Sequence, residues 1–309
     1  PETYPVRATA AEVYAQIGVD IQTALDNAQY LGTDSYFATK TAVNLLKAEY
    51  ALWMYTNQNG GADYLTLAQE AVDALDLTAN AILADYGQVF LNSNKKNKEI
   101  AFALHNSQDE KLTGGFYPYF YLGGSSVAPA YQNKPVPMKS TQLWGYQPPF
   151  MKRLRDSRDI EGDKRVATNL GDADYGSSGE NITWVNKYIG DQSGAIAIED
   201  CDIPYYRTAL GIMMAAELAY YKKEYTKALG YLNVIAKRAI NKSDWNNTWS
   251  GFSLYLEFKF ENEGNGELFR FAVAANSWAN VTATVVISKN GDQVTANRGQ
   301  VVALEDGWY

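Results

Sequence analysis

The part of the chain that decides the fold is residues 202–221, which read DIPYYRTALGIMMAAELAYY. The apolar run from Ala209 to Tyr221 predicts a helix that is buried nearly all round. We expect Asp202 to cap this helix and Pro204 to occupy its first turn, where a missing N–H costs nothing. After a short charged turn, a one-sided helical pattern continues to Ile240, and so short a connection makes the two helices antiparallel.

Similar patterns in the first quarter of the chain predict a second helical hairpin. Helices are expected over 39–55 and from Asp63 to Leu75, and a capping box at Thr9-x-x-Glu12 opens an earlier helix. Ala68-x3-Val72 in this hairpin and Ala228-x3-Leu232 in the C-terminal one fit the tetratricopeptide pattern loosely. Trp53 is expected to lie in the core between these helices. The fold class is therefore mostly α, with tetratricopeptide-like hairpins.

Composition and charge exclude several kinds of partner. The 309 residues carry a formal net charge of −8, which argues against nucleic acid, because phosphate binding needs a basic face. No apolar run approaches the roughly 18 residues that span a bilayer. The single cysteine, Cys201, allows no disulfide within these residues, and the single histidine, His105, is expected to end a strand at 99–104. Asp172-x-Asp174 begins like a calcium loop but lacks the remaining ligands, so neither a metal nor a cofactor is predicted.

A loop-rich segment separates the two predicted hairpins. Residues 116–150 hold nine aromatic residues, six of the nine prolines and only two charged residues. Prolines at this density forbid a long helix or a central strand, and long ordered loops in compact proteins are usually functional. The aromatic rings either pack the loops onto the scaffold or are exposed to a ligand.

Carbohydrate binding suits such a segment. Sugar rings present apolar C–H faces that lie on tyrosine and tryptophan rings, while phenol and amide groups bond the hydroxyls. An extended peptide would be served nearly as well. From clustering and position alone, five residues are predicted to contact ligand: Trp144, Tyr146, Tyr119, Tyr121 and Tyr117.

Three motifs together resemble the C-terminal helical pair of SusD/RagB-like proteins. They are the entry Ile203-Pro204-x-x-Arg207, the pair Ala216-Glu217, and the exit at 232–239, which reads LNVIAKRA. The strand at 99–104, the Asp156-x-Arg158 element and a Lys-Tyr strand near 184–189 are also similar to family elements. So is the stretch 256–271, where the resemblance implies one more helix over 252–263.

What the resemblance implies is an outer-membrane nutrient-binding lipoprotein of Bacteroidetes. Such a protein lies on the extracellular face, held by a lipid anchor that is not part of this chain, and caps a TonB-dependent, SusC-like transporter. Family members also carry a lipoprotein signal and a long N-terminal helical region, which these residues do not show, so an N-terminal portion is expected to be missing.

One domain is expected over residues 1–309. It comprises a helical scaffold at 7–104 and 202–263, a loop-rich aromatic excursion at 105–201, and a β-like segment at 264–309 with a hairpin turn at Asn290-Gly291. The predicted function is non-catalytic capture of an oligosaccharide for uptake.

Three alternatives stay open: a RagB-like protein that takes up peptides, a helical glycosidase using two carboxylates, and a tetratricopeptide-like scaffold that binds other proteins. Common nucleotide, zinc-protease and serine-hydrolase motifs are absent from the sequence.

Overall fold

The computed structural model describes residues 7–110, 126–135 and 145–240, together with four strands beyond residue 252. Those four strands are described by their bounds and pairing alone. The chain divides into two compact units, residues 1–241 and 242–309. Within the described part of the chain, no helix combines the length and apolarity needed to cross a bilayer.

The first unit begins with three helices. Helix α1 spans Ala10–Asp26, α2 spans Lys40–Asn57 and α3 spans Ala62–Asp73. The predicted capping box is confirmed: Thr9 Oγ1 accepts from the Glu12 N–H, and Glu12 accepts from the Thr9 N–H at 2.8 Å. Thr39 caps α2 in the same way, because its hydroxyl accepts from the Ala42 N–H at 3.0 Å.

The middle of the unit holds short elements. Strand β1 spans Ile100–Leu104, α4 spans Pro148–Asp156 and runs into a π-helical turn at Ser157–Glu161, and α5 spans Arg165–Asn169. Strands β2 (Leu170–Ala173) and β3 (Ile182–Val185) pair antiparallel. Single 3₁₀ turns lie at Ala28–Tyr30, Ala79–Ala81, Gly87–Phe90, Asn92–Asn94 and Pro129–Tyr131.

Strand β4 (Ile203–Arg207) pairs antiparallel with β1 and leads directly into the second hairpin. That hairpin consists of α6 (Thr208–Tyr221) and α7 (Tyr225–Ala239). It packs on α2 and α3 around a core of small and aliphatic side chains: Ala42, Leu45, Ala48, Ala51, Leu52, Ala68, Ala71, Val72, Met214, Ala215 and Leu218. Gly211 permits the close approach of α6, since a Cβ there would lie 2.8 Å from Leu45 Cδ2. The mostly helical fold class is confirmed.

The prediction that Asp202 caps the following helix is wrong. Residues 203–207 form β4, and α6 begins only at Thr208. In this two-stranded sheet every residue lies on an edge strand, where the missing N–H of Pro204 is tolerated. Asp202 is instead buried among side chains from distant parts of the chain.

The prediction that Trp53 is a core residue is also wrong. The side chain is 48% exposed and lies on the face of α2 that is turned toward α1. Its indole N–H donates to the Tyr14 hydroxyl at 3.1 Å, which satisfies the one polar atom of the ring. The core positions of α2 are taken by smaller side chains such as Ala48 and Ala51.

The second unit contains a four-stranded antiparallel sheet in the order β5-β6-β7-β8. Its strands span Ser253–Phe260, Glu267–Ala275, Val281–Lys289 and Asp292–Asn297. The hairpin predicted around Asn290-Gly291 is confirmed by the pairing of Lys289 with Asp292, although the two turn residues lie outside the described residues. The helix predicted over 252–263 is wrong: LYLEFKF (254–260) alternates apolar and polar residues, the period of a strand.

Candidate ligand-binding site

Three aromatic rings lie stacked one on another within the aromatic excursion, residues 105–201. The ring centroids of Tyr131 and Tyr175 are 3.9 Å apart with an interplanar angle of 17°, and those of Tyr175 and Trp184 are 5.5 Å apart at 20°. Trp184 is buried at the base of the stack, whereas Tyr131 and Tyr175 are partly exposed. We call these three residues the aromatic stack. A stack of near-parallel rings offers a flat apolar face on which a further ring can pack.

The β2–β3 hairpin fixes the base of the stack. Trp184 pairs across the sheet with Gly171, and the indole lies so close over that glycine that a Cβ would overlap it. The indole N–H donates to Asn186 Oδ1 at 2.9 Å, which holds the ring in one orientation. The sequence places a glycine opposite a tryptophan, and the consequence is a bulky ring lying flat on the hairpin.

A second segment holds the outer ring. Val127 forms an antiparallel bridge with Gly176, and the Ala128 N–H donates to the Tyr175 carbonyl at 2.8 Å. Pro129 then starts the single turn that ends at Tyr131. Because the chain is fixed two residues before the turn, Tyr131 is brought onto the Tyr175 ring by backbone bonds rather than by ring packing alone.

Polar side chains surround the connection between β2 and β3. The Asn181 amide donates to Asp174 Oδ1 at 3.2 Å, and the Arg155 guanidinium donates to both oxygens of Asp172 at 2.9 and 3.0 Å. These hydrogen bonds from Arg155 are the main reason that the pKa of Asp172 is lowered. Asp172 therefore takes part in an ion pair, with Arg158 3.5 Å away as a second partner.

Of the five residues predicted to contact ligand, only Tyr146 lies in the described part of the chain. Its hydroxyl donates to the Asn169 carbonyl at 2.9 Å, and its ring lies 5.4 Å from that of Phe150. Burial raises the pKa of the Tyr146 phenol. The hydroxyl is therefore hydrogen-bonded within the protein. Trp144, Tyr117, Tyr119 and Tyr121 fall outside the described residues, so all five remain predictions.

The sequence interpretation missed all three members of the stack. Tyr175 and Trp184 lie beyond the proline-rich window, and Trp184 was assigned to a strand expected at 184–189, whereas β3 ends at Val185. Tyr131 falls within residues 116–150 but is not among the five predicted residues. The signal that would have found Trp184 is the alternation in ITWV (182–185), which puts Ile182 and Trp184 on one face of β3.

His105 follows β1, as predicted, and takes part in a buried polar cluster around Asp202. Its Nδ1 lies 2.9 Å from Asp202 Oδ1, and its ring stacks on Tyr36 with a centroid distance of 4.0 Å. Asp202 also accepts from the Tyr36 hydroxyl at 2.6 Å and from the Asn106 N–H at 3.1 Å. The role of this cluster is to join the start of β4 to the end of β1. Among the described residues, no three His, Cys, Asp or Glu side chains are grouped as metal ligands.

Comparisons with known proteins identify the fold. No protein-family model matches the sequence, and no curated protein matches it significantly. Among solved structures, a SusD superfamily protein from Bacteroides fragilis matches with a TM-score of 0.62, at 22% identity over 76% of this chain and 53% of that one. NanU of B. fragilis matches with a TM-score of 0.61, at 23% identity over 77% of this chain and 51% of that one.

A third structure is the surface glycan-binding protein A of Bacteroides thetaiotaomicron, in complex with laminarihexaose. Its TM-score is 0.51, at 16% identity over 75% of this chain and 54% of that one. The chain thus spans about half the length of each of these three structures. These structural matches agree with the sequence motifs at 203–207, 216–217 and 232–239, and the chain has a SusD-like fold.

Proposed function

We propose that the chain is a non-catalytic glycan-binding protein of the cell surface, and that the aromatic stack is part of its ligand face. The observation that carries this proposal is the stack itself, which ends at the partly exposed Tyr131. The laminarihexaose complex of a structural neighbour supports a glycan as the ligand class.

The stack suits a sugar for physical reasons. A pyranose ring presents C–H bonds on one face, which pack on an aromatic face and bury apolar area, while its hydroxyls need hydrogen-bond partners. Exposed Asp174 and Asn181 beside Tyr175 can provide these partners. Since the backbone holds Tyr131 in place before any ligand arrives, little side-chain ordering is required on binding.

The wider role rests on the same proposal. The protein would be lipid-anchored on the extracellular face of the outer membrane, would cap a SusC-like TonB-dependent transporter, and would hold an oligosaccharide for uptake. The rigid α2–α3 and α6–α7 hairpins would hold the ligand face in place. The alternative ligand for uptake is a peptide.

Binding to defined oligosaccharides tests the proposal. Isothermal titration calorimetry with laminari-, malto- and xylo-oligosaccharides is expected to give binding to at least one series, and Tyr131→Ala should weaken it roughly three- to tenfold. Tyr30→Ala is the matched control, because Tyr30 is 81% exposed and belongs to the turn after α1. Its affinity should equal that of the wild type.

Two outcomes would overturn the proposal. Release of reducing sugar from any of these substrates would make the protein a glycosidase. Tight binding of peptides, with no binding to any glycan, would assign it to peptide uptake instead.

A further inference from the structure

A cluster of positive charge lies between β1, β4 and α7. Glu99 is fully buried, and its two carboxylate oxygens accept from two guanidinium groups, Arg207 at 3.0 Å and Arg238 at 2.6 Å. The backbone N–H of Leu83 donates to the same carboxylate at 3.0 Å. Glu99 therefore has no capacity left to neutralise a third cation.

Lys187 is that third cation. Its Nζ lies 4.5 Å from the centroid of the Phe90 ring, and the Arg207 guanidinium carbon lies 5.3 Å from the same centroid. Within the described ranges, no carboxylate lies at salt-bridge distance from Lys187. Burial, and to a lesser extent repulsion by Arg207, lowers the pKa of Lys187 to about 8.

The cluster thus carries more positive than negative charge. Lys187, Arg207 and Arg238 face one carboxylate, and the buried Nε of Arg238 has no acceptor. A partly buried cation without a counter-ion is costly, and proteins that keep one commonly use it to bind a charged ligand. Lys187 and Arg207 are the accessible members, since the Arg207 side chain is 21% exposed and that of Arg238 only 5%.

The cluster is linked through Tyr86 and Asn169 to Tyr146, a residue predicted to contact ligand. The Arg238 guanidinium lies 5.4 Å from the centroid of the Tyr86 ring, and the Tyr86 hydroxyl is 3.4 Å from Asn169 Oδ1. The backbone carbonyl of Asn169 accepts from Tyr146. A single asparagine therefore connects the basic cluster to Tyr146.

We propose that Lys187 and Arg207 form a subsite for the acid group of a ligand, namely the carboxylate of an acidic sugar. This inference rests on the proposed glycan-binding function and adds the charge class of the glycan. An incoming carboxylate accepts hydrogen bonds from the Lys187 ammonium and from the Arg207 edge that does not face Glu99, and it supplies the missing negative charge.

Two oligosaccharides of equal length, one neutral xylo-oligosaccharide and one bearing a glucuronic acid, test the subsite by calorimetry. The acidic ligand should bind about tenfold more tightly at low salt, and the preference should shrink as salt is added. Lys187→Met should abolish the preference without loss of thermal stability, since it removes an unpaired buried charge. Lys164→Met, at an exposed lysine, is the control and should retain the preference.

Proton uptake separates a direct role of Lys187 from a structural one. Because the pKa of Lys187 is lowered to about 8, part of the Lys187 amines are neutral near that pH, and binding of an anion should take up a fraction of a proton, measured in buffers of different ionisation enthalpy. Lys187→Arg should keep the preference for the acidic sugar but show no uptake, because arginine stays charged.

Equal affinity for both sugars, or a preference that survives Lys187→Met, would overturn the subsite while leaving neutral glycan binding in place. If the wild type binds neither sugar nor any other glycan, the proposed function fails and the subsite fails with it.

Discussion

The carboxylate of Asp202 accepts a 2.6 Å hydrogen bond from the hydroxyl of Tyr36, a residue 166 positions earlier in the chain. The Asp202 side chain is 4% exposed, and its other partners are His105, the Asn106 N–H and, 3.4 Å away, Lys95. Burial, and after it the hydrogen bond to Asp202, raises the pKa of the Tyr36 phenol. One buried carboxylate thus joins the loop before α2 to the end of β1 and the start of β4.

Tyr36→Phe removes this bond and keeps the ring that stacks on His105. Because the acceptor is a buried carboxylate, we expect a loss of about 2 kcal/mol in the free energy of unfolding. Urea denaturation followed by circular dichroism measures it, with the slope of the transition unchanged. Tyr30→Phe, at an exposed tyrosine, should change stability by less than about 0.5 kcal/mol. If Tyr36→Phe also changes the free energy of unfolding by less than about 0.5 kcal/mol, the hydrogen bond does not contribute to stability as expected.

Glu99→Gln leaves two guanidinium groups without their shared carboxylate. Breaking a buried ion pair by removing one partner costs about 3–5 kcal/mol, and Glu99 has 0% exposure with Arg207 and Arg238 as partners. Denaturant unfolding should show this loss or a failure to fold. Glu224→Gln, where the pairs to Lys222 and Lys227 are exposed, should cost less than about 1 kcal/mol. Equal effects of the two substitutions would contradict the buried network.

Gly171→Ala tests the base of the aromatic stack. The new methyl group would overlap the Trp184 indole, so the ring must move, at a cost of about 1–3 kcal/mol. Tryptophan fluorescence and near-ultraviolet circular dichroism should change, and glycan affinity should fall as in Tyr131→Ala. Gly61→Ala is the control, since no atom lies within 4 Å of a Cβ there. An unchanged spectrum for Gly171→Ala would mean that the indole does not lie over the glycine.

Asp172→Asn tests the ion pairs with Arg155 and Arg158 through their pH dependence. The pKa of Asp172 is lowered in the folded protein, chiefly by the hydrogen bonds from Arg155, so its stabilising contribution is fully present above the unfolded pKa of about 4. It is lost as the pH falls through the lower, folded pKa. The variant should be about 1 kcal/mol less stable than the wild type at pH 7, and the difference in Tm should narrow below pH 4. A difference that is constant from pH 7 to pH 3 would exclude this mechanism.

The helical hairpins were predictable because their signals are local. Thr9 and Thr39 cap helix starts, and the apolar run of α6 predicts that this helix is buried. The strand at residues 203–207 could not be predicted from local signals. Asp202 and Pro204 favour a helix start locally, yet pairing with β1, about 100 residues earlier, makes the segment a strand. Tertiary pairing outweighed a local preference.

The site was less predictable than the fold. The density of tyrosine and proline indicated a ligand face in the excursion, but it gave no information on which rings meet. Tyr131, Tyr175 and Trp184 come together only through the Val127–Gly176 bridge and the β2–β3 hairpin, and the cations around Glu99 meet through three separate elements. The alternation in 182–185 marks only Trp184, and contacts such as those of Glu99 with Arg207 and Arg238, 108 and 139 residues apart, leave no pattern in a single sequence.

The antiparallel pairing of β1 with β4 has a kinetic consequence. Glu99 and Arg207 are 108 residues apart, and closing a loop of about that length costs roughly 4 kcal/mol of chain entropy. The α2–α3 and α6–α7 hairpins are local and form early, so their docking is the slow event of folding. Until the two hairpins dock, the carboxylate of Glu99 and the guanidinium groups of Arg207 and Arg238 remain hydrated. Docking then brings all three groups together in one late step.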